Sequence, residues 1–100
     1  MNIMAQEAKE IMDAEEGYII LDVRTQAEYD EKHIPGAVLI PDYEIKERAE
    51  EELTDKDQLI LVYCRSGRRS KLAAEALVEL GYTNIKEFGG IIDWHYEVTK

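Results

Sequence analysis

The sequence is short of cysteine, proline and long apolar runs. It has one cysteine and two prolines among 100 residues, so an internal disulfide framework is excluded. No segment approaches the ~20 apolar residues of a membrane span, and residues 1–17 lack the apolar core of a signal peptide. Two histidines and one cysteine do not form a zinc-type ligand spacing. We therefore expect a soluble, cytoplasmic protein, with residues 1–100 as one domain and no metal or cofactor.

Positive charge is also scarce, and it is concentrated in one place. The net charge is −10, which argues against nucleic acid or an anionic membrane as a partner, because phosphate binding needs a basic surface. Residues 63–71 nevertheless carry four basic residues and no acidic one, which leaves −14 on the rest of the chain. A small cationic segment on an anionic body suggests one small anionic ligand. Nothing in the sequence indicates more than a monomer.

Short apolar runs alternate with helical patterns along the chain. Three runs are continuous, as is typical of parallel strands buried on both faces: residues 18–23, 37–40 and 59–63. Residues 84–88 are a fourth, weaker strand candidate. Helical periodicity lies at residues 5–14, 43–53 and 70–80. Thr25 and Glu28 form a capping box that opens a further short helix, and Gly89 with Gly90 suggests a tight turn before a last one. The alternation predicts an α/β fold with a mostly parallel sheet.

The stretch "YCRSGRRS" at residues 63–70 follows directly on the third apolar run. Ligands of open parallel sheets bind beyond the carboxyl ends of the strands, where this topology places Cys64. Gly67 permits backbone angles that other residues avoid, and we expect the next helix to begin at Ser70. The N–H groups of such a turn form an anion cradle, and cationic neighbours favour the thiolate. Cys64 is therefore a candidate nucleophile; the alternative is a buried, inert thiol, which needs no cationic surroundings.

Three segments resemble signatures of the rhodanese (sulfurtransferase) family. "YCRSGRRS" resembles the active-site loop, "LDVRTQAEYDEKHIPGAVLIP" (21–41) the first signature, and "FGGIIDW" (88–94) the C-terminal one. Lys32 departs from the family pattern, in which glycine commonly precedes the histidine. The resemblance implies a small three-layer domain over residues 1–100, with a central, mostly parallel sheet of four to five strands and helices on both faces.

The resemblance also implies sulfur transfer through a persulfide on Cys64. An anionic donor such as thiosulfate or a persulfide would load the thiol, and cyanide or a thiol would remove the sulfur. The substrate-binding set would be the rest of the loop: Arg65, Ser66, Gly67, Arg68, Arg69 and Ser70. Arg65 and Arg69 would attract the donor and stabilise the leaving sulfite. Ser70 would either hydrogen-bond within the loop or cap the helix.

Two other functions stay open beside the enzyme. One is a sulfur-relay or regulatory module without small-molecule turnover, loaded by a cysteine desulfurase or another persulfide donor protein. Since inactive relatives usually lack the loop cysteine, Cys64 argues against a purely structural role. The other is a phosphatase or arsenate reductase of the same fold, whose loop has one more residue between cysteine and arginine. Here four residues separate Cys64 from Arg69, and the next position is Ser70, which favours sulfur transfer.

Two charged residues at the end of the first predicted strand are assigned a supporting role. Asp22 and Arg24 are polar at the carboxyl end of that strand, and Glu28 follows Arg24 at the i+4 position. One interpretation makes them a second wall of the pocket. The other, which we favour, is an ion-pair and capping network that holds the loop.

Overall fold

The computed structural model describes residues 2–100 as alternating strands and helices. Within this range the strands are β1 (Ile19–Asp22), β2 (Val38–Leu39), β3 (Ile60–Cys64) and β4 (Ile85–Gly90). The α-helices are α1 (Ala5–Ala14), α2 (Gln26–Glu31), α3 (Ile45–Glu52) and α4 (Arg68–Glu79). Short 3₁₀ turns occupy Asp42–Glu44 and Ile91–Asp93. No helix in the described range is long and apolar enough to cross a membrane.

The sheet is parallel throughout, in the strand order β2-β1-β3-β4. β1 and β3 lie side by side, with Ile20 opposite Leu61 and Asp22 opposite Tyr63. Parallel neighbours need crossover connections, which the helices supply. The carboxyl ends of the strands therefore lie along one edge of the sheet, and the loops that follow β1, β3 and β4 meet there.

Apolar side chains fill two cores, one on each face of the sheet, because successive side chains of a strand point to opposite faces. Leu21 and Val62 belong to the core that α3 and α4 cover. Ile20 and Leu61 belong to the other core, which α1 covers through the fully buried Ala8. The predicted three-layer α/β arrangement, with helices on both faces, is confirmed.

Several element ends differ from the sequence predictions. Helix α4 begins at Arg68 rather than Ser70, because Gly67 adopts a left-handed φ of 107° at the N-cap. The predicted turn at Gly89 and Gly90 is wrong, since both glycines belong to β4. The last short helix is reduced to the 3₁₀ turn at Ile91–Asp93.

Strand pairing is short at both edges of the sheet. β2 pairs with β1 over two residues, and Val38 is 39% exposed, so this strand is not buried on both faces as its apolar run predicted. At the opposite edge, Asn2 makes one parallel bridge to Glu87. The Ile3 N–H donates to the Glu87 carbonyl at 2.8 Å. The start of the chain thus covers β4 without adding a regular fifth strand.

Candidate active site

The candidate nucleophile lies at the end of β3, at the base of the turn that leads into α4. Cys64 is the last residue of β3 and is 1% exposed. Gly67 caps α4, so the thiol lies beneath the N-terminus of a 12-residue helix. The unpaired N–H groups and the dipole of a helix N-terminus favour negative charge. The fold therefore brings the single thiol to a position suited to an anion.

Two polar groups of the turn contact the sulfur. The Gly67 N–H donates to Cys64 Sγ at 2.9 Å. Ser70 Oγ lies 3.5 Å from the same sulfur. Gly67 can direct its N–H inward because its φ of 107° is accessible to glycine and strained for other residues. Because a hydrogen bond donated to a charged form stabilises that form, the contact from the Gly67 N–H suits an anionic sulfur.

The turn packs directly against the end of β4. Gly90 is the sheet partner of Cys64, and a Cβ at Gly90 would overlap the carbonyl group of Arg65. The Ile92 N–H donates to the same carbonyl oxygen at 3.2 Å. Gly90 is therefore needed for the close approach of two backbones, and not for the turn that the sequence suggested.

The three arginines of the loop have different surroundings. Arg65 and Arg68 are exposed. Arg69 is half-buried and forms a bidentate ion pair with Glu28, at 2.6 Å and 2.9 Å between nitrogen and oxygen. Hydrogen bonds from Arg69, with further ones from Thr25, lower the pKa of Glu28 from 4.5 to about 2, and the hydrogen bonds to Glu28 raise the pKa of Arg69. Arg69 thus already has a carboxylate partner, whereas Arg65 and Arg68 face solvent.

Asp22 and Arg24 form a buried ion pair beside the loop. Arg24 Nη2 donates to Asp22 Oδ2 at 2.7 Å, with Asp22 0% and Arg24 3% exposed. The Tyr63 hydroxyl donates to the same oxygen at 2.6 Å, and burial together with the Asp22 charge raises the pKa of Tyr63. Arg24 also donates to the Lys32 carbonyl at 2.7 Å, which ties β1 to the end of α2. These contacts match the predicted ion-pair network, although Glu28 belongs to the loop ion pair instead.

A buried carboxylate that the sequence predictions did not include lies on the other side of the loop. Glu87 is 2% exposed, and its Oε2 accepts hydrogen bonds from Ser70 Oγ at 2.9 Å and from the Gly89 N–H at 2.5 Å. Asn2 Nδ2 donates to Oε1 at 2.5 Å. The available signal was one acidic residue inside a run read as a buried strand, since such residues are almost never buried unless paired.

Two surface cavities flank the turn. A cavity of about 680 Å³ is lined in part by Ser66, Gly67, Arg68, Lys71, Glu75 and Glu87. A cavity of about 270 Å³ is lined in part by Arg24, Glu28, Lys32, Arg65 and Ile92. Each cavity includes one of the exposed loop arginines, so a small anion that approaches the turn from either side meets a positively charged side chain.

Comparison with known proteins assigns nearly the whole chain to one family. A family model described as the rhodanese-like domain matches residues 4–97. The chain belongs to the rhodanese-like domain family. The resemblance that three short segments carried in the sequence is thereby confirmed, and it extends across this rhodanese-like domain from α1 to the residues after the last 3₁₀ turn.

Individual relatives are similar over most of the chain. The thiosulfate sulfurtransferase PspE of Escherichia coli (strain K12) is 42% identical over 73 residues, which cover 73% of this chain and 70% of that protein. The putative sulfur carrier protein YrkF of Bacillus subtilis (strain 168) is 41% identical over 87 residues, which cover 86% of this chain but 46% of that protein. A solved rhodanese with anions from E. coli has a TM-score of 0.78 and 38% identity, covering 83% of this chain and 98% of that one.

Proposed function

We propose that this rhodanese-like domain is a sulfurtransferase that moves sulfane sulfur through a persulfide on Cys64. The observation that carries the proposal is the hydrogen bond from the Gly67 N–H to the sulfur, inside a turn at a helix N-terminus. N–H groups that point into such a turn stabilise the charge of a thiolate and, after loading, the charge on the terminal sulfur of a persulfide. Similarity to a protein named thiosulfate sulfurtransferase supports the assignment.

The first step loads the thiol. The Cys64 thiolate attacks the outer sulfur of thiosulfate and forms an S–S bond to it. The bond between the two thiosulfate sulfurs breaks, sulfite leaves with the electron pair, and Cys64 carries a persulfide anion. Exposed Arg65 and Arg68 attract the dianionic donor, because opposite charges raise its local concentration.

The second step returns the enzyme to its starting state. Cyanide or a thiol attacks the terminal sulfur, the S–S bond to Cys64 breaks, and the thiolate leaves with the electron pair. With cyanide the product is thiocyanate. Two half-reactions separated by a covalent enzyme intermediate predict ping-pong kinetics.

The other residues of the loop shape and support the turn that binds the anion. The N–H groups of residues 65–70 stabilise the persulfide charge, and Gly67 supplies the contact already described. Arg69 is a supporting residue in this proposal, because its guanidinium is engaged by Glu28. Asp22 and Arg24 support the loop from the end of β1 through their buried ion pair.

A sulfur relay is a second candidate, because the same persulfide serves both functions. Similarity to a protein named putative sulfur carrier favours it. In that case a cysteine desulfurase or another persulfide donor protein loads Cys64, and thiosulfate does not. Phosphatase or arsenate reductase chemistry is disfavoured by the four-residue separation of Cys64 and Arg69, which leaves a smaller cradle than a tetrahedral oxyanion needs.

Intact mass spectrometry under non-reducing conditions tests the proposal. Thiosulfate is expected to add one sulfur atom to the wild-type protein, and cyanide to remove it with release of thiocyanate. Cys64→Ser is the matched control and should gain nothing. If wild type gains no sulfur from thiosulfate but does gain it from a cysteine desulfurase, the relay is correct; if neither donor loads it, the proposed function is refuted.

A further inference from the structure

The buried carboxylate of Glu87 has no role in the sulfur transfer described above, yet it is one hydroxyl group away from the thiol. Ser70 Oγ lies 3.5 Å from Cys64 Sγ and 2.9 Å from Glu87 Oε2. All three residues are buried, at 1%, 0% and 2% exposure in the order Cys64, Ser70, Glu87. The three side chains therefore form a chain of directly contacting polar atoms along which a proton can move.

The single proton of the Ser70 hydroxyl has a preferred acceptor. Three oxygen atoms lie within its reach: the Gly67 carbonyl at 3.0 Å, Glu87 Oε2 at 2.9 Å and the Gly89 carbonyl at 3.3 Å. An ionised carboxylate is the strongest of these acceptors, because charge-assisted hydrogen bonds are about twice as strong as neutral ones. With its proton directed to Glu87, Ser70 offers only lone pairs to the sulfur, and so it accepts from a Cys64 S–H.

We propose that Cys64 and Glu87 share one proton through Ser70. This inference rests on the proposed sulfur transfer at Cys64. Glu87 is a positioning residue in it, since its carboxylate acts on the sulfur through the Ser70 hydroxyl. Two groups that cannot both carry charge at short range titrate as a pair.

The transfer balances without any further reactant. The Cys64 S–H bond breaks and its proton moves to Ser70 Oγ, while the Ser70 proton moves to Glu87 Oε2. The products are a thiolate, an intact serine hydroxyl that now donates to the sulfur, and a neutral carboxylic acid. The negative charge moves from Glu87 to the nucleophile, and the net charge of the site does not change when the donor is attacked.

Several other charged side chains lie around Cys64 and Glu87. Arg68, Lys71 and Glu75 line the same cavity as Glu87. On the side of α2, Arg69 is held by Glu28 and also interacts electrostatically with Cys64 and Asp42. Arg65 follows the thiol directly and is exposed, and Lys86 precedes Glu87 in β4. All of these groups stay unchanged when Glu87 alone is replaced, so a difference between wild type and variant reports Glu87.

Alkylation with iodoacetamide measures the coupling, because Cys64 is the only cysteine in the sequence. The rate is recorded against pH for wild type and Glu87→Gln. The glutamine oxygen can still accept from Ser70 and Gly89, so the variant removes the charge and keeps those hydrogen bonds. We expect a broadened profile for wild type, a single-proton profile for Glu87→Gln, and alkylation at neutral pH about tenfold faster in the variant. Superimposed profiles would overturn the inference.

Two further variants separate the relay from general electrostatics. Glu75→Gln removes one negative charge from an exposed wall of the same cavity and is expected to change the rate by less than about twofold. In a Ser70→Ala background the effect of Glu87→Gln is expected to shrink to less than about threefold, because the hydroxyl that couples the two groups is gone. An undiminished effect would show that the coupling does not pass through Ser70.

A measurement on the wild-type protein keeps the inference testable if Glu87→Gln fails to fold. In NMR spectra of protein labelled at the glutamate carboxyl carbons, the Glu87 resonance should shift in two steps with pH, and in one step after Cys64 is alkylated. One step in both samples would overturn the proposal. None of these readouts uses a sulfur donor, so absence of sulfur loading refutes the proposed function alone, and uncoupled titration with normal loading refutes the shared proton alone.

Discussion

Replacing Glu28 by glutamine tests the ion pair that holds the loop arginine. Pairing with Arg69, together with hydrogen bonds from Thr25, lowers the pKa of Glu28 from 4.5 to about 2. At 1.36 kcal/mol per unit, this shift corresponds to an upper limit of about 3 kcal/mol of stability. The side chains of Arg69 and Glu28 are 29% and 27% exposed, so solvent screens the pair. We therefore expect Glu28→Gln to lower the free energy of unfolding by about 1–2 kcal/mol at neutral pH.

The pH dependence of this loss has a definite sign. A carboxyl group whose pKa is lowered by folding stabilises the protein above its unfolded value and ceases to do so as it becomes protonated. The contribution of Glu28 is therefore complete above about pH 4.5 and is lost as the pH falls toward 2. The difference between wild type and Glu28→Gln should shrink over the same interval.

Urea unfolding, followed by circular dichroism at a series of pH values, measures both the size and the interval of the effect. Glu31→Gln is the matched control, since Glu31 is an exposed carboxylate in the same helix and the change of net charge is the same. Its effect should stay within about 0.5 kcal/mol at every pH. A loss for Glu28→Gln that is equal at neutral pH and at pH 2, or no larger than that of the control, would refute the ion pair as the cause.

Three further predictions concern the loop and its support. Gly90→Ala places a Cβ in the Arg65 carbonyl; we expect a loss of about 1–3 kcal/mol in urea unfolding and about hundredfold slower sulfur loading, and unchanged loading would contradict the close approach. Tyr63→Phe removes one donor to the buried Asp22 carboxylate and the acceptor of the buried Ile34 N–H, and should cost about 1–3 kcal/mol, whereas Tyr43→Phe, at a residue 70% exposed, should cost less than about 0.5 kcal/mol. Steady-state kinetics should show KM for thiosulfate raised about tenfold by Arg65→Gln and by Arg68→Gln, because both side chains are exposed beside the turn; an unchanged KM in both variants would contradict their role in attracting the donor.

The elements that the sequence predicted well are those with a strong local pattern. The span of α1 agrees with its apolar periodicity, and the capping box of α2 forms because Thr25 and Glu28 are three residues apart. β1 and β3 are central strands, which makes their apolar runs continuous. The predictions failed where a neighbour decided the outcome: Val38 lies in an edge strand, and Gly90 is extended because it packs against the loop.

In the candidate site, too, the residues with a local sequence pattern were predicted and their distant partners were not. Cys64, Gly67 and Ser70 were identified from one contiguous stretch, because a turn between a strand and a helix brings sequence neighbours together. The partners of that stretch come from elsewhere in the chain. Glu28 lies 41 positions from Arg69, and Glu87 lies 17 positions from Ser70. Separations of this size do not follow from the periodicity of a helix or a strand, so the sequence pattern could not predict either pairing.

The sequence by itself determined the alternation of strands and helices, the place of the thiol at the end of β3 and the cationic character of the loop. Each of these depends on residues that are adjacent or one helical turn apart, where bond geometry and side-chain periodicity are sufficient. Only the tertiary structure decided that Arg69 is paired with Glu28, that Gly90 supports the turn, and that Glu87 lies behind Ser70. Those contacts depend on how parallel strands are ordered and registered, and long-range register leaves no local mark in a single sequence.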